Sequence, residues 1–288
     1  MNSHALPGLL VQNLTLKRGD KTVVENVSFT LSRPELVGLI GPNGAGKSSL
    51  LKALAGLGQR GSDIRWQGRP LAQMTSAERG RTLAFLPQER SVVWPLRCRD
   101  VVALGRMPHQ AEGLGFIRPA PSFEDLRSVE DAMRRMDVQA FADRPFDRLS
   151  GGEQARVLIA RLLAQDPRLI LADEPCNGLD PEHQLALMQC FRDLVAEGVT
   201  VVVSLHDLTL ASAWCDRLLL LDTGKLVADG TPAAVLTSDR MAATYNIRIG
   251  HLQSDHRQLV VPIARLWQPE GGTASPADDA TSSKVNCI

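Results

Sequence analysis

The stretch GPNGAGKSS, residues 41–49, follows the short apolar run ELVGLI (residues 35–40) and precedes leucines at helical spacing. It fits G-x-x-x-x-G-K-[ST], a pattern whose glycines let the backbone wrap around an anion with its amide hydrogens pointing inward. The helix that follows adds the positive end of its dipole. Lys47 can then reach the terminal phosphates of a nucleotide, and the Ser48 hydroxyl can bind magnesium. The stretch therefore predicts a buried strand, a phosphate-binding loop and a helix.

Two adjacent carboxylates end a second apolar run, LILADE, at residues 169–174. A strand in a parallel sheet delivers its carboxyl end to the ligand crevice. Because successive strand residues point to opposite sides, Asp173 and Glu174 need not share a task. Asp173 suits contact with magnesium through water, and Glu174 suits the polarisation of an attacking water.

A second glycine-rich helix start appears far downstream, in LSGGE at residues 149–153. Ser150 and Glu153 have the S-x-x-E spacing of a capping box, so one interpretation is an ordinary cap on a core helix. Two consecutive glycines are nevertheless costly at a helix start unless another group must approach the backbone closely. An exposed helix start with bare amides can bind phosphate. A second copy of the chain can offer such a site across an interface.

The composition is that of a globular protein. The chain has 288 residues, 44% hydrophobic and 22% charged, and its formal net charge is zero, so no overall field favours nucleic acid. No stretch reaches the roughly 18 apolar residues of a membrane span, and no secretory signal is evident at the start. The five scattered cysteines are most simply interpreted as reduced thiols.

The alternation of strand and helix patterns predicts an α/β fold. We expect a P-loop NTPase core of the RecA-like type, with a mostly parallel sheet, an N-terminal antiparallel β subdomain and a helical insert. Residues 1–235 form the nucleotide-binding domain, with the helical subdomain inserted at about 95–165. Residues 236–268 form a C-terminal extension packed on that domain, and residues 269–288 are polar and predicted to be a disordered tail.

Together these motifs resemble those of the ATP-binding subunit of an ABC transporter. GPNGAGKSS, LSGGE and LILADE occur in that family's order, and LSGGE beside a P-loop is the most specific of them. FLPQ matches the Q-loop glutamine at Gln88, GLD the D-loop aspartate at Asp180, and SLHD the switch histidine at His206. The resemblance covers about residues 9–235.

The resemblance implies a head-to-tail homodimer that holds two ATP molecules between its copies. The γ-phosphate then lies between Lys47 of one copy and LSGGE of the other. Glu174 and His206 are the implied catalytic residues. The residues expected to bind ATP from the same copy are Gly41, Pro42, Asn43, Gly44, Ala45, Gly46, Lys47, Ser48, Ser49, Gln88 and Arg18. Those expected to bind it from the other copy are Ser150, Gly151, Gly152 and Glu153, with Asp180 at the dimer interface. Ser48, Gln88 and Asp173 are expected to hold Mg²⁺.

Two positions depart from the family pattern. The family usually places an aromatic residue that stacks on adenine where this chain has Arg18. A guanidinium can also stack on a base, but a solvated turn arginine explains Arg18 as well. Cys176 and Asn177 stand where small polar residues are usual, and we expect only local packing consequences from them.

The resemblance also suggests which kind of transporter uses this subunit. DVVALGRMPH, residues 100–109, resembles the importer subclass for iron-siderophore, haem and cobalamin complexes, with a few relatives that move oxyanions. It implies two transmembrane permease subunits, a periplasmic substrate-binding protein acting indirectly, and a peripheral place on the cytoplasmic face of the inner membrane. The alternatives are import of another substrate, such as an oxyanion, and a soluble ABC ATPase acting on the ribosome or DNA. A P-loop GTPase or kinase would leave LSGGE unexplained.

Overall fold

A computed structural model describes residues 8–57, 63–89, 95–110, 120–254 and 257–266. The predicted tail at 269–288 and Cys287 lie outside these residues. So does most of the Gly/Pro-rich loop that the sequence places between residues 109 and 122.

The N-terminal strands form an antiparallel sheet. Its strands are β1 (Leu9–Arg18), β2 (Lys21–Leu31), β4 (Asp63–Trp66) and β5 (Arg69–Pro70), in the order β2-β1-β4-β5. A turn at residues 19–20 joins β1 to β2. Val27, Phe29 and Leu31 alternate with more exposed residues and face the core, as the sequence pattern predicts.

The central sheet is parallel apart from one edge strand. It consists of β3 (Leu36–Ile40), β6 (Leu83–Leu86), β7 (Leu169–Ala172), β8 (Thr200–Ser204), β9 (Arg217–Asp222) and β10 (Lys225–Gly230). The order is β10-β9-β3-β8-β7-β6, and β10 runs antiparallel to β9 as the second strand of a hairpin. The predicted α/β fold with a mostly parallel sheet is confirmed.

Strand β3 is buried on both faces because a hydrophobic layer covers each side of the sheet. Leu36 and Ile40 enter one core with the helices of the insert, whereas Val37 and Leu39 enter the other with β1 and β2. This alternation explains why the strands read as continuous apolar runs.

Helices connect and cover the strands. They are α1 (Lys47–Leu54), α2 (Ser76–Thr82), α3 (Cys98–Ala103), α4 (Phe123–Arg135), α5 (Gly151–Ala164), α6 (Pro181–Ala196), α7 (Leu208–Trp214), α8 (Pro232–Val235) and α9 (Ser238–Tyr245). Between β6 and β7 the described chain holds α3, α4, α5 and short 3-10 turns, which is the helical character predicted for about 95–165. Helix α3 ends at Ala103, and the chain continues as a 3-10 turn over residues 104–109.

After the central sheet the described chain ends in α9 and the antiparallel hairpin β11 (Ile247–Ser254) and β12 (Arg257–Arg265). The backbone N–H of Val260 donates to the Ser212 hydroxyl of α7 at 3.0 Å. Met241, Ile249 and Val260 belong to the same core as the insert. Residues of this segment therefore contact α7 and the core of the insert.

The register of the parallel strands decides which loops meet. Ala172 lies opposite Leu86 in β6 and Val203 in β8, and Leu39 of β3 lies opposite Ser204. The loops that follow these strands consequently emerge at one edge of the sheet.

Candidate functional site

The loop after β3 has the backbone that only glycine adopts readily. Gly46 is the N-terminal cap of α1 at φ 102°, and Gly41 has φ 149°. A Cβ on Gly41 would come within 2.2 Å of the Leu221 carbonyl oxygen, and one on Gly46 within 2.5 Å of the Val23 carbonyl oxygen. Strand β2 and the end of β9 therefore hold the loop tightly against the sheet.

Lys47 is bent back over this loop. Its Nζ donates to the carbonyl oxygens of Gly41 at 2.6 Å and Pro42 at 3.1 Å, and the residue is 6% exposed. Burial lowers the pKa of the Lys47 ammonium, while the negative charges of Glu174 and Asp173 act to raise it. The lysine therefore lies in the electrostatic reach of both carboxylates that end the LILADE run.

Ser204 links those two carboxylate residues. Its hydroxyl donates to Asp173 Oδ1 at 2.7 Å and accepts the backbone N–H of Glu174 at 2.7 Å. The predicted separation of Asp173 and Glu174 arises differently from the strand alternation that we expected. Strand β7 ends at Ala172, and Glu174 has a left-handed backbone at φ 51°, so a turn separates the two side chains.

The Glu174 carboxylate is the meeting point of three loops. Gln88 Nε2 donates to Glu174 Oε2 at 2.9 Å, and Asn177 Nδ2 donates to the same oxygen. His206 Nε2 contacts Glu174 Oε1. The structure thus brings together Gln88, Glu174 and His206, which the sequence placed after three different strands. Asp207 rather than His206 caps α7, accepting the N–H groups of residues 209 and 210.

Asp173 carries the feature that fits a metal. The residue is 1% exposed, and its Oδ2 has no hydrogen-bond partner among the residues that the structure describes. A buried carboxylate oxygen in this position needs a cation or a water to satisfy it. Carboxylate, amide and hydroxyl oxygens, as supplied by Asp173, Gln88 and Ser48, are the hard ligands that Mg²⁺ prefers. The residues predicted to hold Mg²⁺ therefore fit it chemically.

LSGGE forms an open helix start. The Ser150 hydroxyl accepts the backbone N–H of Glu153, and Glu153 accepts the backbone N–H of Ser150, which completes the predicted capping box. These hydrogen bonds lower the pKa of Glu153 below its ordinary value. Ser150 and Gly151 are exposed, and a Cβ on Gly151 would meet no atom of the described residues within 4 Å. The same is true of Gly44 in the first loop, so among the described residues neither glycine lies against the other loop.

Asp180 begins helix α6 beside the LSGGE segment. It accepts the backbone N–H of His183 at 2.9 Å and contacts His183 Nδ1 at 2.7 Å. A Cβ on Gly152 would lie 3.2 Å from the Gly178 carbonyl oxygen. The loop from Glu174 to Asp180 therefore touches the start of α5.

Arg18 is exposed at the end of β1, where it pairs with Lys21 across the hairpin turn. The Val23 carbonyl of the same hairpin packs against Gly46, so Arg18 belongs to an element that adjoins the phosphate loop.

Sequence reasoning missed two residues of this site. Ser204 appears in the sequence only as the last residue of an apolar strand, and a polar residue in that position was the available signal. Asn177 was expected to have only local packing consequences; the structure adds that its amide donates to the Glu174 carboxylate.

Comparison with known proteins places this P-loop fold in a family. Residues 24–177, more than half of the chain, match the family model described as ABC transporter. The chain is 41% identical over 261 residues to the hemin import ATP-binding protein HmuV of Nocardia farcinica, covering 89% of this chain and 88% of that protein. It is 42% identical to the protein of the same name from Pseudomonas putida, covering 88% of this chain and 99% of that protein.

Solved structures of ABC transporter proteins resemble this fold. One described as an inward-facing metal-chelate type ABC transporter superposes with a TM-score of 0.75 at 26% identity, covering 89% of this chain and 98% of that one. Another, of the ATP binding subunit of an ABC transporter, gives a TM-score of 0.68 at 29% identity, covering 77% and 89% of the two chains.

The chain belongs to the ABC transporter family, as its ATP-binding subunit. The predicted family, fold class and ATPase activity are therefore confirmed. Subunits of this kind work with membrane permease components. Within the described ranges, no helix of this chain is long and apolar enough to cross a membrane.

Proposed function

We propose that this protein is the ATP-hydrolysing motor of a bacterial importer of hemin. The relatives named above carry that activity in their names, match this chain over nearly its whole length and share the subclass that residues 100–109 suggest. In this proposal two permease subunits form the membrane path, a periplasmic binding protein delivers the cargo, and this chain acts at the cytoplasmic face of the inner membrane.

Two copies of the chain bind two ATP molecules between them. The backbone of residues 41–49 holds the phosphates in one copy, and Lys47 exchanges its two carbonyl acceptors for phosphate oxygens. Ser150, Gly151, Gly152 and Glu153 of the other copy approach the same γ-phosphate. Among the described residues the surroundings of Gly44 and Gly151 are open, which leaves room for nucleotide and for a second copy to approach.

Glu174 orients the attacking water and accepts its proton, and His206 stabilises the charge that develops on the γ-phosphate. The observation that carries this assignment is the convergence of Gln88, His206 and Glu174 at one edge of the central sheet. The negative charge of Glu174 also acts on Lys47, which follows the loop after β3. Ser48, Gln88 and Asp173 would hold Mg²⁺. When bound, the cation would neutralise part of the negative charge of the phosphates.

Substitution of Glu174 by glutamine tests the catalytic assignment. Glu174→Gln keeps the shape of the side chain but cannot accept a proton, so we expect ATP binding to persist while turnover falls by about a hundredfold or more. Turnover at the wild-type rate would remove Glu174 from this role.

The cargo is tested in proteoliposomes that contain this chain and its permease pair, with the periplasmic binding protein added outside. We expect ATP-dependent accumulation of hemin, and none with Glu174→Gln. Transport of an iron-siderophore, cobalamin or an oxyanion in place of hemin would keep the importer and reject the cargo.

A further inference from the structure

We propose that Asn177 is a positioning residue for ATP hydrolysis, which holds one oxygen of the Glu174 carboxylate so that the other faces the attacking water. This inference rests on the proposed role of Glu174 as the residue that activates water. It adds to that role a side chain outside the set expected to bind ATP and outside the motifs identified in the sequence.

The contacts around Glu174 divide its two oxygens between different loops. Asn177 and Gln88 both donate to Oε2, whereas His206 contacts Oε1. Side chains from the loops after β6, β7 and β8 thus contact the carboxylate, and the imidazole lies on the oxygen that should bind water.

The three partners differ in how firmly they are tied to Glu174. Gln88 follows β6 and His206 follows β8, so both reach Glu174 from other strands. Asn177 lies in the same turn, and its backbone N–H donates to the Glu174 carbonyl oxygen at 3.2 Å. This local hydrogen bond keeps the amide near the carboxylate even when the neighbouring strands shift.

The three partners also differ in what else they are expected to do. In the proposed cycle Gln88 turns to Mg²⁺ and His206 to the γ-phosphate, whereas Asn177 stays in the turn that carries Glu174. Binding of MgATP therefore removes the imidazole from Oε1 while Asn177 stays on Oε2. The carboxylate is then held from the side away from the water, with one oxygen available as a base.

The backbone supports the same arrangement. Glu174 adopts a left-handed conformation at φ 51°, which is uncommon outside glycine and is retained here by surrounding hydrogen bonds. Its N–H is held by Ser204 and its carboxylate by Asn177, so both ends of the residue are fixed.

The test measures steady-state ATP hydrolysis by the full-length protein carrying Asn177→Ala or Asn177→Asp. We expect kcat to fall about tenfold with Asn177→Ala while the KM for ATP stays unchanged, because the reacting group is misplaced and the binding loop is intact. Asn177→Asp is nearly isosteric but places a second negative charge beside Glu174. The kcat of Asn177→Asp should therefore fall further than that of the alanine variant.

Gln189→Ala is the matched control. Gln189 also donates an amide hydrogen to a carboxylate, Asp193 Oδ1 at 2.8 Å, but on the exposed face of α6. It should keep the wild-type kcat. Thermal unfolding of all variants checks that the fold is retained. If the alanine variant unfolds, the nearly isosteric aspartate variant provides the kinetic comparison.

The outcomes separate the two proposals. A wild-type kcat with Asn177→Asp would overturn the positioning role, since packing alone tolerates that replacement. Loss of kcat in both variants together with an equal rise in KM would also overturn it, because the defect would then lie in nucleotide binding. If Glu174→Gln itself retains turnover, the proposed catalytic role of Glu174 is wrong.

Discussion

Arg106 and Asp125 form a buried ion pair, with Arg106 Nε 2.8 Å from Asp125 Oδ1 and side chains only 4% and 9% exposed. Arg106 also donates to the carbonyl oxygen of Ala164 at the end of α5. Asp125 completes the capping box of Ser122 at the start of α4. A single pair of charges therefore joins three segments of the helical insert, and both side chains are largely buried.

Asp125→Asn should lower the free energy of unfolding by about 3 kcal/mol, because removing one member of a buried pair leaves the other charge uncompensated. Urea denaturation measures this loss. Asp131→Asn is the control, since Asp131 pairs with Arg134 at an exposed position and its replacement should change stability by less than about 1 kcal/mol.

The same pair sets a pH dependence. Burial acts to raise the pKa of Asp125, but hydrogen bonds from Arg106 and Ser122 outweigh it and hold the pKa below its ordinary value. A carboxylate with a depressed folded-state pKa stabilises the fold above its unfolded pKa and loses that contribution as pH falls through the folded pKa. The wild type should lose stability on acidification below about pH 4, and Asp125→Asn should lose less over the same range. An equal loss of stability in the two proteins over this pH range would contradict the prediction.

Ser150→Arg should block ATP-driven dimerisation while leaving ATP binding to the monomer intact. Ser150 is exposed at the start of α5, so the larger cation can be accommodated by the monomer but collides with an approaching second copy. Size-exclusion chromatography with ATP, in the Glu174→Gln background that preserves the bound nucleotide, measures the dimer. Ser150→Thr keeps the capping oxygen and should still dimerise. A normal dimer with arginine would leave Ser150 as a helix cap alone.

Arg18→Ala should weaken ATP binding about threefold, since a stacked guanidinium contributes about 0.5–1 kcal/mol at an exposed site. Equilibrium binding of a fluorescent ATP analogue gives the change. Arg18→Trp should restore the affinity by offering a flat ring in the same place. Identical affinities in all three proteins would make Arg18 a solvated residue of the β1–β2 turn.

Tyr245→Phe should raise the free energy of unfolding by about 1 kcal/mol, because an unsatisfied buried hydroxyl is costly. The Tyr245 hydroxyl oxygen is buried and makes no hydrogen bond of normal geometry in the described part of the chain. Burial raises the pKa of Tyr245, and the nearby Gly41 backbone acts to lower it without meeting that geometry. Ser212→Ala is the opposite case. The Ser212 hydroxyl accepts the backbone N–H of Val260 and donates to the Thr209 carbonyl oxygen, so its loss should destabilise the protein. Chemical denaturation compares the two, and a Tyr245→Phe protein less stable than wild type would reveal a partner for that hydroxyl.

Local signals made most of the fold predictable from the sequence. The β1–β2 hairpin, the glycine loop before α1 and the capping box at Ser150 each depend on residues within a few positions of one another. Glycine and capping preferences act over that distance, so the sequence pattern sufficed.

The contacts that complete the site depend on strand register instead. Ser204 reaches Asp173 across 31 positions because β7 and β8 pair so that their ends coincide. No periodicity within either strand specifies that alignment. Asn177 was underestimated for a different reason: the left-handed turn at Glu174 folds the amide back onto the carboxylate, and the sequence does not display that backbone angle.

Lys47 has hydrogen-bond acceptors within its own loop. Its ammonium rests on two main-chain carbonyls of its own loop, so departure of a product would leave no stranded cation behind. In the proposed cycle the amine alternates between internal and external acceptors. At Lys47 itself this exchange requires only the swing of one flexible side chain.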